Sequence, residues 1–439
     1  MKANRMNIIE QIKKNRDLTI IYACAIVCSV VLILGWGVQI SPDSPTYISA
    51  WENFSNGKID VFRTPIYPFF LGTMKSMFGE TYFRFATICV QHLIFLISTY
   101  YFYKTAQHFI SVKRVVFLVS LFYATLSFFT TWNNCILTES LAISVMVILI
   151  YTIICLYQSQ SWTSVIFYTS MLLMLIFLRP AFVYMLPILM ATWLYLLLFK
   201  NKRKIAIKGI SGTLVVIIAL FSYMKTFECE YGLFTSSQVG TLNQVCIARQ
   251  YGLFEPNSIQ DPQLKAHIIE SYKLYGKRRE LEDVQMEIKG LMDNYDLHTL
   301  ADAISESVKS NPQKWIASCG GRFMKSLDTS LFPKYLKETD KCGNIVLDLI
   351  TIPLPMKILY LFLTIYPFVL CRWIVKKHAI PLLSFMFYLA CISSIVVSIV
   401  GAQSEWSRLI CPSMPLFLLM VGQICTLIKV KSISSIKFH

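Results

Sequence analysis

Stretches of roughly 18 to 23 predominantly apolar residues recur along almost the whole of this 439-residue chain. An α-helix needs about that length to cross some 30 Å of hydrocarbon at 1.5 Å per residue. Lipid offers no partner for an open peptide group, so each such stretch must be helical. Hydrophobic residues make up 55% of the chain and charged residues only 15%, a balance that would leave a very large apolar surface exposed on any water-soluble globule. The chain therefore reads as an all-α polytopic membrane protein. About ten spans are expected, near residues 18–38, 82–103, 113–133, 136–157, 162–178, 181–199, 209–227, 350–371, 380–401 and 409–429. The runs on either side of Arg179 and Pro180 count as two spans; as one broken helix they would invert everything downstream.

Charge tests that count independently. With the basic amino terminus (Lys2, Arg5, Lys13, Lys14, Arg16) inside, the segments around Lys104 to Arg114, Lys200 to Lys208, Arg372 to Lys377 and Lys429 to Lys437 also fall inside. Every inner segment except the short YQSQSW turn then obeys the positive-inside rule. The net charge of +16 is thus mostly topological and suits contact with anionic inner-leaflet lipid. Nucleic acid is excluded as a partner, because the one large soluble segment, residues 228–347, holds similar numbers of acids and bases. The first span is too long for a signal-peptide core and no small-residue cleavage site follows it, so it is expected to remain as an anchor. Most of the 13 cysteines lie in apolar runs, where Cys behaves as a small hydrophobe. Cys229, Cys246, Cys319 and Cys342 fall in the outer segment, where an oxidising compartment would permit pairing in any of three connectivities.

Three parts are expected: residues 1–227 with a first outer loop at 39–81, an insertion at 228–347, and carboxy-terminal spans at 348–439. No internal repeat is visible, which counts against many transporter folds. The insertion reads as mainly helical and packed on the membrane part, since LKAHIIESYKLYGKRRELEDVQMEIKGLM and LADAISESVKSNPQKWIASCGGRFMKSL have helical apolar spacing and no Gly/Ser or Pro-rich linker flanks them. In the first outer loop, Tyr47, Trp51 and Phe54 at i, i+4 and i+7 predict an interfacial helix from about Ser44 to Asn56. A second one runs from Pro65 to Phe78, with Ile66, Phe69, Phe70, Met74 and Met77 as its apolar stripe.

The acids are distributed unevenly. Outside the insertion, only Glu10 and Asp17 are placed inside, whereas Asp43, Glu52, Asp60, Glu80, Glu139, Asp348 and Glu405 all fall on the outer side. Each charged residue there has an ordinary explanation. Glu139 suits the first turn of a span with Thr138 or Ser140 as cap, Arg179 could snorkel, Arg63 could anchor at the headgroups, and Glu405 could pair with Arg408 across one helical turn. His92 and His108 read as packing residues. Their shared sidedness points further, to an outward pocket of carboxylates and guanidiniums. Such a pocket suits removal of a group from an anionic lipid phosphate, which needs cations to hold the leaving group and one carboxylate to take a proton. No phosphate-cradling glycine-rich loop occurs.

PDSPTYISAWENFSNGKIDVFRTPIYPFFL, LTESLAISV, FLRPAFVYMLP and EWSRLICPSMPLFLL together resemble the GT-C superfamily of polytopic glycosyltransferases, in particular bacterial aminoarabinose transferases and protein O-mannosyltransferase-like enzymes. The resemblance covers about half of the chain, mostly its amino-terminal part. It implies a GT-C-like bundle with juxtamembrane helices in the first outer loop, in a bacterial inner membrane; the cytoplasmic amino terminus comes from the charge count, and the mainly helical extracytoplasmic insertion, which stands before the last three spans in place of a large carboxy-terminal domain, is a departure from the family. It also implies inverting transfer of a sugar from a polyprenyl-phosphate-linked donor to a hydroxyl on a glycan, lipid or protein acceptor. The catalytic carboxylate maps onto Asp43 and a second acid onto Glu139, while Tyr47, Arg63, Tyr67, Arg179, Glu405 and Arg408 are expected to bind donor phosphate or substrate. Many relatives carry adjacent acids in this loop, whereas Ser44 follows Asp43 here. Some members use a divalent metal ion and others do not, and the sequence leaves that open. Two other readings stand beside this one: an O-antigen-type polymerase or ligase, and a lipid-linked glycan flippase.

Overall fold

A computed structural model of the chain describes residues 15–159, 161–279, 281–329, 355–377 and 382–434. Its regular elements are helices: α1 (Arg16–Trp36), α2 (Ser44–Ser55), α3 (Ile66–Phe109), α4 (Lys113–Thr125), α5 (Glu139–Ser159), α6 (Trp162–Leu178), α7 (Met185–Leu197), α8 (Arg203–Tyr231), α9 (Val239–Tyr251), α10 (Pro262–Tyr275), α11 (Leu281–Asn294), α12 (Leu297–Ser310), α13 (Pro312–Leu327), α14 (Met356–Lys377), α15 (Leu382–Gly401) and α16 (Met414–Ser434). Short helical turns join several of them, among them Trp406–Ile410 ahead of α16.

Among the described residues, seven helices are long and apolar enough to cross a membrane, or eight if a bent pair counts as one span. The protein is a multi-pass membrane protein. About ten spans were expected. Trp162–Leu178 is apolar but has only 17 residues, and the expected span at 350–371 begins outside the described residues. The run at 113–133, expected as one helix, is bent by 52° between Lys113–Thr125 and Ser127–Asn134. Leu126 takes an extended conformation there.

The chain does reverse at Arg179 and Pro180. Trp193 Nε1 donates to Tyr168 Oη at 3.1 Å, although 25 residues of straight helix would hold the two roughly 37 Å apart. Arg179 itself is extended, and Pro180, which lacks an N–H, opens the short turn that begins the return. Gly209 seals the far end of this hairpin, because the space its Cβ would fill belongs to the Trp193 ring, 2.2 Å away.

The first outer loop forms the two expected surface helices. α2 follows the prediction to within a residue. The second surface helix runs directly into a span, and α3 is continuous except at Gly79, whose φ of 69° and ψ of 172° belong to a region essentially restricted to glycine. The aromatic face of α2 turns inward: Trp51 and Phe54 pack on Phe69, with ring centroids 5.4 and 5.7 Å apart, and Trp51 lies flat against Gly72. Of the second stripe, Met74 is buried while Phe69 and Met77 stay exposed, as does the neighbouring Phe78. The apolar surface of the pair is thus presented by α3, while the aromatic face of α2 is covered by it.

Helices α9 to α13 surround a second apolar core built on Val245, Phe254, Ile268, Leu291, Leu300 and Trp315. Both long stretches read as helical are broken. Gly276 with φ 78° divides α10 from α11, and Asn311 followed by Pro312 divides α12 from α13. The insertion is docked on the membrane part by directed bonds. Arg322, 1% exposed, donates through Nε to the Ile399 carbonyl at 2.8 Å. Gln244 Nε2 donates to the Val400 carbonyl at 3.0 Å, and the Gln238 N–H to the Val61 carbonyl at 2.8 Å. Those carbonyls at the end of α15 are orphans of the helix terminus, and a guanidinium is favoured beside that negative pole. Cys229, Cys246 and Cys319 are free thiols; Cys342 lies outside the described residues.

The contact between Trp51 and Gly72 fixes α2 on α3 and gives a direct test. A methyl at residue 72 would stand 2.1 Å from the Trp51 ring, so Gly72→Ala is expected to lower stability by about 1–3 kcal/mol, the usual cost of overpacking. Trp51→Leu in the same chain should recover most of it. Thermal unfolding of the single and double variants in detergent checks both.

Candidate active site

Two short backbone segments bring the predicted residues together. Before α2, the Gln39 N–H donates to the Asn134 carbonyl at 2.8 Å and the Ile136 N–H donates to the Gln39 carbonyl at 3.0 Å, a single parallel bridge. Ser44 Oγ then donates to the Ile136 carbonyl at 2.9 Å. The chain entering Asp43 is thereby clamped to the chain entering Glu139, and two acids 96 residues apart in sequence meet. Asn134 completes the clamp by donating to the Leu32 and Gly37 carbonyls at 2.9 and 2.8 Å and pairing with His92 at 3.0 Å.

Arg63 is placed by a turn. Asp60, 5% exposed, accepts from the N–H groups of Phe62 and Arg63 at 2.9 and 2.7 Å and from Asn53 Nδ2 at 2.7 Å. Its task is to fold the loop back onto α2. The Arg63 guanidinium then lies 4.0 Å over the Tyr47 ring, with Nε donating to Thr46 Oγ1 at 2.8 Å. Tyr47 meets Tyr67 edge to face at 5.1 Å. Tyr67, fully buried, donates to Gln91 Oε1 at 3.0 Å, and Gln91 Nε2 donates to the Asn133 and Cys135 carbonyls at 2.9 Å each.

Arg408 joins the two halves. Its Nη2 lies 2.8 Å from Asp43 Oδ2, its Nη1 2.8 Å from Glu405 Oε2, and its Nε donates to Glu139 Oε1. Arg63 Nη2 holds the other Asp43 oxygen at 3.0 Å, and Arg179 Nη1 reaches Glu139 Oε1 at 3.0 Å. Three guanidiniums and three carboxylates thus form one chain, Arg63, Asp43, Arg408, Glu139, Arg179, with Glu405 as a branch. Glu405 sits at φ 61°, a left-handed conformation that costs a non-glycine residue about 1 kcal/mol or more. The turn after Arg408 is held by Cys411, which accepts from Trp132 Nε1 at 3.1 Å and donates to the Phe128 carbonyl at 3.0 Å.

Exposure separates the two acids. The Glu139 side chain is 0% exposed, while that of Asp43 is 39% exposed. Burial by itself would raise the Asp43 pKa, but the charges of Arg408 and Arg63, and then their hydrogen bonds, outweigh it and hold the carboxyl below its ordinary value. A depressed carboxylate contributes its stability above the unfolded value, near pH 4, and loses it as pH falls through the lower folded one. The network is therefore intact throughout neutral pH.

Among the described residues, no group of three or more His, Cys, Asp and Glu is arranged to hold a metal ion. The space between Asp43, Glu139 and Glu405, where a divalent ion would draw all three, is filled by the Arg408 guanidinium. The residues as arranged do not fit one.

All eight predicted site residues lie in or directly against this network. Tyr67 and Glu139 are fully buried, and Tyr47 and Arg408 are buried as well. Glu139 is not capped as expected, since Thr138 Oγ1 has no hydrogen-bond partner and Ser140 Oγ donates to Asn133 Oδ1 at 2.6 Å. Thr46, Gln91, Asn133 and Asn134 were not picked out by sequence reasoning. Polar side chains within or between apolar runs, as in TWNN and at Gln91, were the available signal.

Neither a protein-family model nor a curated protein sequence matches this chain. Solved structures do. The archaeal oligosaccharyltransferase AglB from Archaeoglobus fulgidus, in complex with an inhibitory peptide and a dolichol-phosphate, superposes with a TM-score of 0.50 at 11% identity over 98% of this chain and 53% of its own. The fold is of the GT-C type. An Archaeoglobus fulgidus oligosaccharyltransferase in the apo form gives a TM-score of 0.49 at 13% identity, over 92% of this chain and 50% of its own. The chain therefore spans about half the length of those two proteins.

Removing Arg408 should cost far more than removing Arg63. Arg408→Met leaves the fully buried Glu139 with Arg179 alone and is expected to destabilise by about 3 kcal/mol. Arg63→Met releases only the part-exposed Asp43 and should cost about 1 kcal/mol or less. Unfolding midpoints of the two purified variants make the comparison.

Proposed function

We propose that this protein is a membrane glycosyltransferase that moves a sugar from a polyprenyl-phosphate-linked donor to a hydroxyl acceptor. The observation that carries this reading is the part-exposed carboxylate of Asp43 gripped by two guanidiniums, those of Arg63 and Arg408. The GT-C-type fold supports it, and the AglB structure was captured with a dolichol-phosphate, a lipid phosphate of the kind proposed here.

In the proposed step the acceptor oxygen attacks the anomeric carbon. The bond from that carbon to the phosphate oxygen breaks, and its electron pair leaves with the lipid phosphate. The hydroxyl proton passes to Asp43 and from there to water. A single displacement inverts the anomeric centre. Arg63 and Arg408 would hold the departing anion, since guanidiniums match phosphate oxygens in a fork. Glu139, fully buried between Arg408 and Arg179, suits positioning of those cations better than proton transfer.

This arrangement links basicity to donor binding. Held by two guanidiniums, Asp43 is a weak base. A donor phosphate that takes over hydrogen bonds from Arg63 and Arg408 brings negative charge beside the carboxylate and frees it, so its proton affinity rises when the donor is in place. The base would be armed only by its substrate.

Asp43→Asn should lower transfer from a polyprenyl-phosphate sugar by about 10²–10⁴-fold with little change in donor KM; unchanged turnover would remove Asp43 from the mechanism. The pH profile gives a second check. The acid limb of kcat/KM, which reports the free enzyme, should fall below about pH 4, and that of kcat should lie at higher pH because the bound phosphate raises the same carboxylate. Coincident limbs would exclude the arming step.

A further inference from the structure

The insertion contains a cavity of about 480 Å³ that the charge network does not use. Four elements build it: Gln250 and Tyr251 end α9, Tyr275 ends α10, Arg278 stands in the turn that follows, Asp283 lies on α11, and Lys325 on α13. Its floor is rigid. Arg249, 0% exposed, holds both oxygens of Glu287 at 2.9 and 3.0 Å and donates to the Gly276 and Lys277 carbonyls at 3.0 and 3.1 Å, which fixes the turn carrying Arg278. Gly252 lets that turn approach, since a Cβ there would stand 2.7 Å from the Lys277 carbonyl oxygen.

The lining is chemically mixed. Gln250 Oε1 and Tyr251 Oη are buried without a hydrogen-bond partner, and a buried polar group left unpaired costs about 1–3 kcal/mol. Asp283 is a further acceptor. The Tyr251 and Tyr275 rings offer the flat apolar faces on which the C–H side of a sugar ring rests; Arg279 covers one face of Tyr275 at 4.3 Å and is itself paired with Glu287 at 2.7 Å. Arg278 and Lys325 are exposed and, among the described residues, make no ion pair. Lys325 lies 5.4 Å from the Tyr251 ring centre. Two exposed cations beside the Asp283 carboxylate and two tyrosine rings suit a saccharide that carries a negative group.

We propose that this cavity is a subsite for an anionic saccharide, one bearing a phosphate or a carboxylate, and that it holds the acceptor. The assignment as acceptor rests on the glycosyl-transfer reading above; the assignment as a binding site does not. Its walls connect to the charge network. Gln244 on α9 and Arg322 on α13 bond the Val400 and Ile399 carbonyls, five and six residues before Glu405, so the cavity and the loop holding Arg408 are joined by directed bonds.

Binding is read without any transfer. Full-length protein in detergent is titrated with glucose 6-phosphate, glucuronate, neutral glucose and inorganic phosphate, followed by saturation-transfer NMR. Both anionic sugars should bind saturably and more tightly than glucose or phosphate. The double variant Arg278→Ala/Lys325→Ala, at exposed positions that the fold does not need, should weaken them at least tenfold. Asp43→Asn, which stops transfer under the first reading, should bind them as the wild type does, so the two readings fail separately. Absence of saturable binding to the wild type, undiminished binding to the double variant, or equal binding of inorganic phosphate alone would overturn the subsite.

Discussion

The site depends on one guanidinium. Arg408 contacts carboxylates from the first outer loop, from the start of α5 and from its own loop through three different nitrogens. An arginine can do this because its donors are fixed in a plane and its charge cannot be lost, whereas a lysine would be a single movable point. At a buried position the cost of desolvating each ion is several kcal/mol, recovered only when every partner is in place. The alternation of signs along the chain from Arg63 to Arg179 supplies those partners except at Glu139 Oε2, which is buried without one because both arginines bond Oε1. It also leaves Asp43 as the member of the chain's two central acids that a substrate can reach.

Such a network is poised and not relaxed. Under the proposed reaction an arriving phosphate would compete for the same guanidiniums that restrain Asp43, so that binding and activation would be one event. The left-handed backbone at Glu405 and the directed bonds from the insertion to the end of α15 place stored strain and an external contact on the same loop. That loop is where a change in the insertion would be felt by Arg408.

Much of this was legible in the sequence. The α2 helix followed from aromatic spacing, and the candidates Asp43, Arg63, Glu139, Arg179 and Arg408 from charges that apolar surroundings make costly. Other features were not. The aromatic face of α2 was read as meeting lipid but packs on α3, because periodicity says which residues share a face and not what that face meets. Asp60 was read as part of the pocket and instead closes the turn under Arg63. Gln91 and Asn134 act largely through partners more than forty residues away, and a single sequence carries no mark of such pairings.

By itself, then, the sequence determined that the chain lies in a membrane as helices and that its scattered charges need partners, since hydrocarbon leaves neither backbone nor ion any alternative. Which charges pair was decided only by tertiary structure. The bridge between Gln39 and Cys135, the reversal at Pro180 and the entry to α16 set distances between segments far apart in the chain, and the strength of an ion pair depends on those distances.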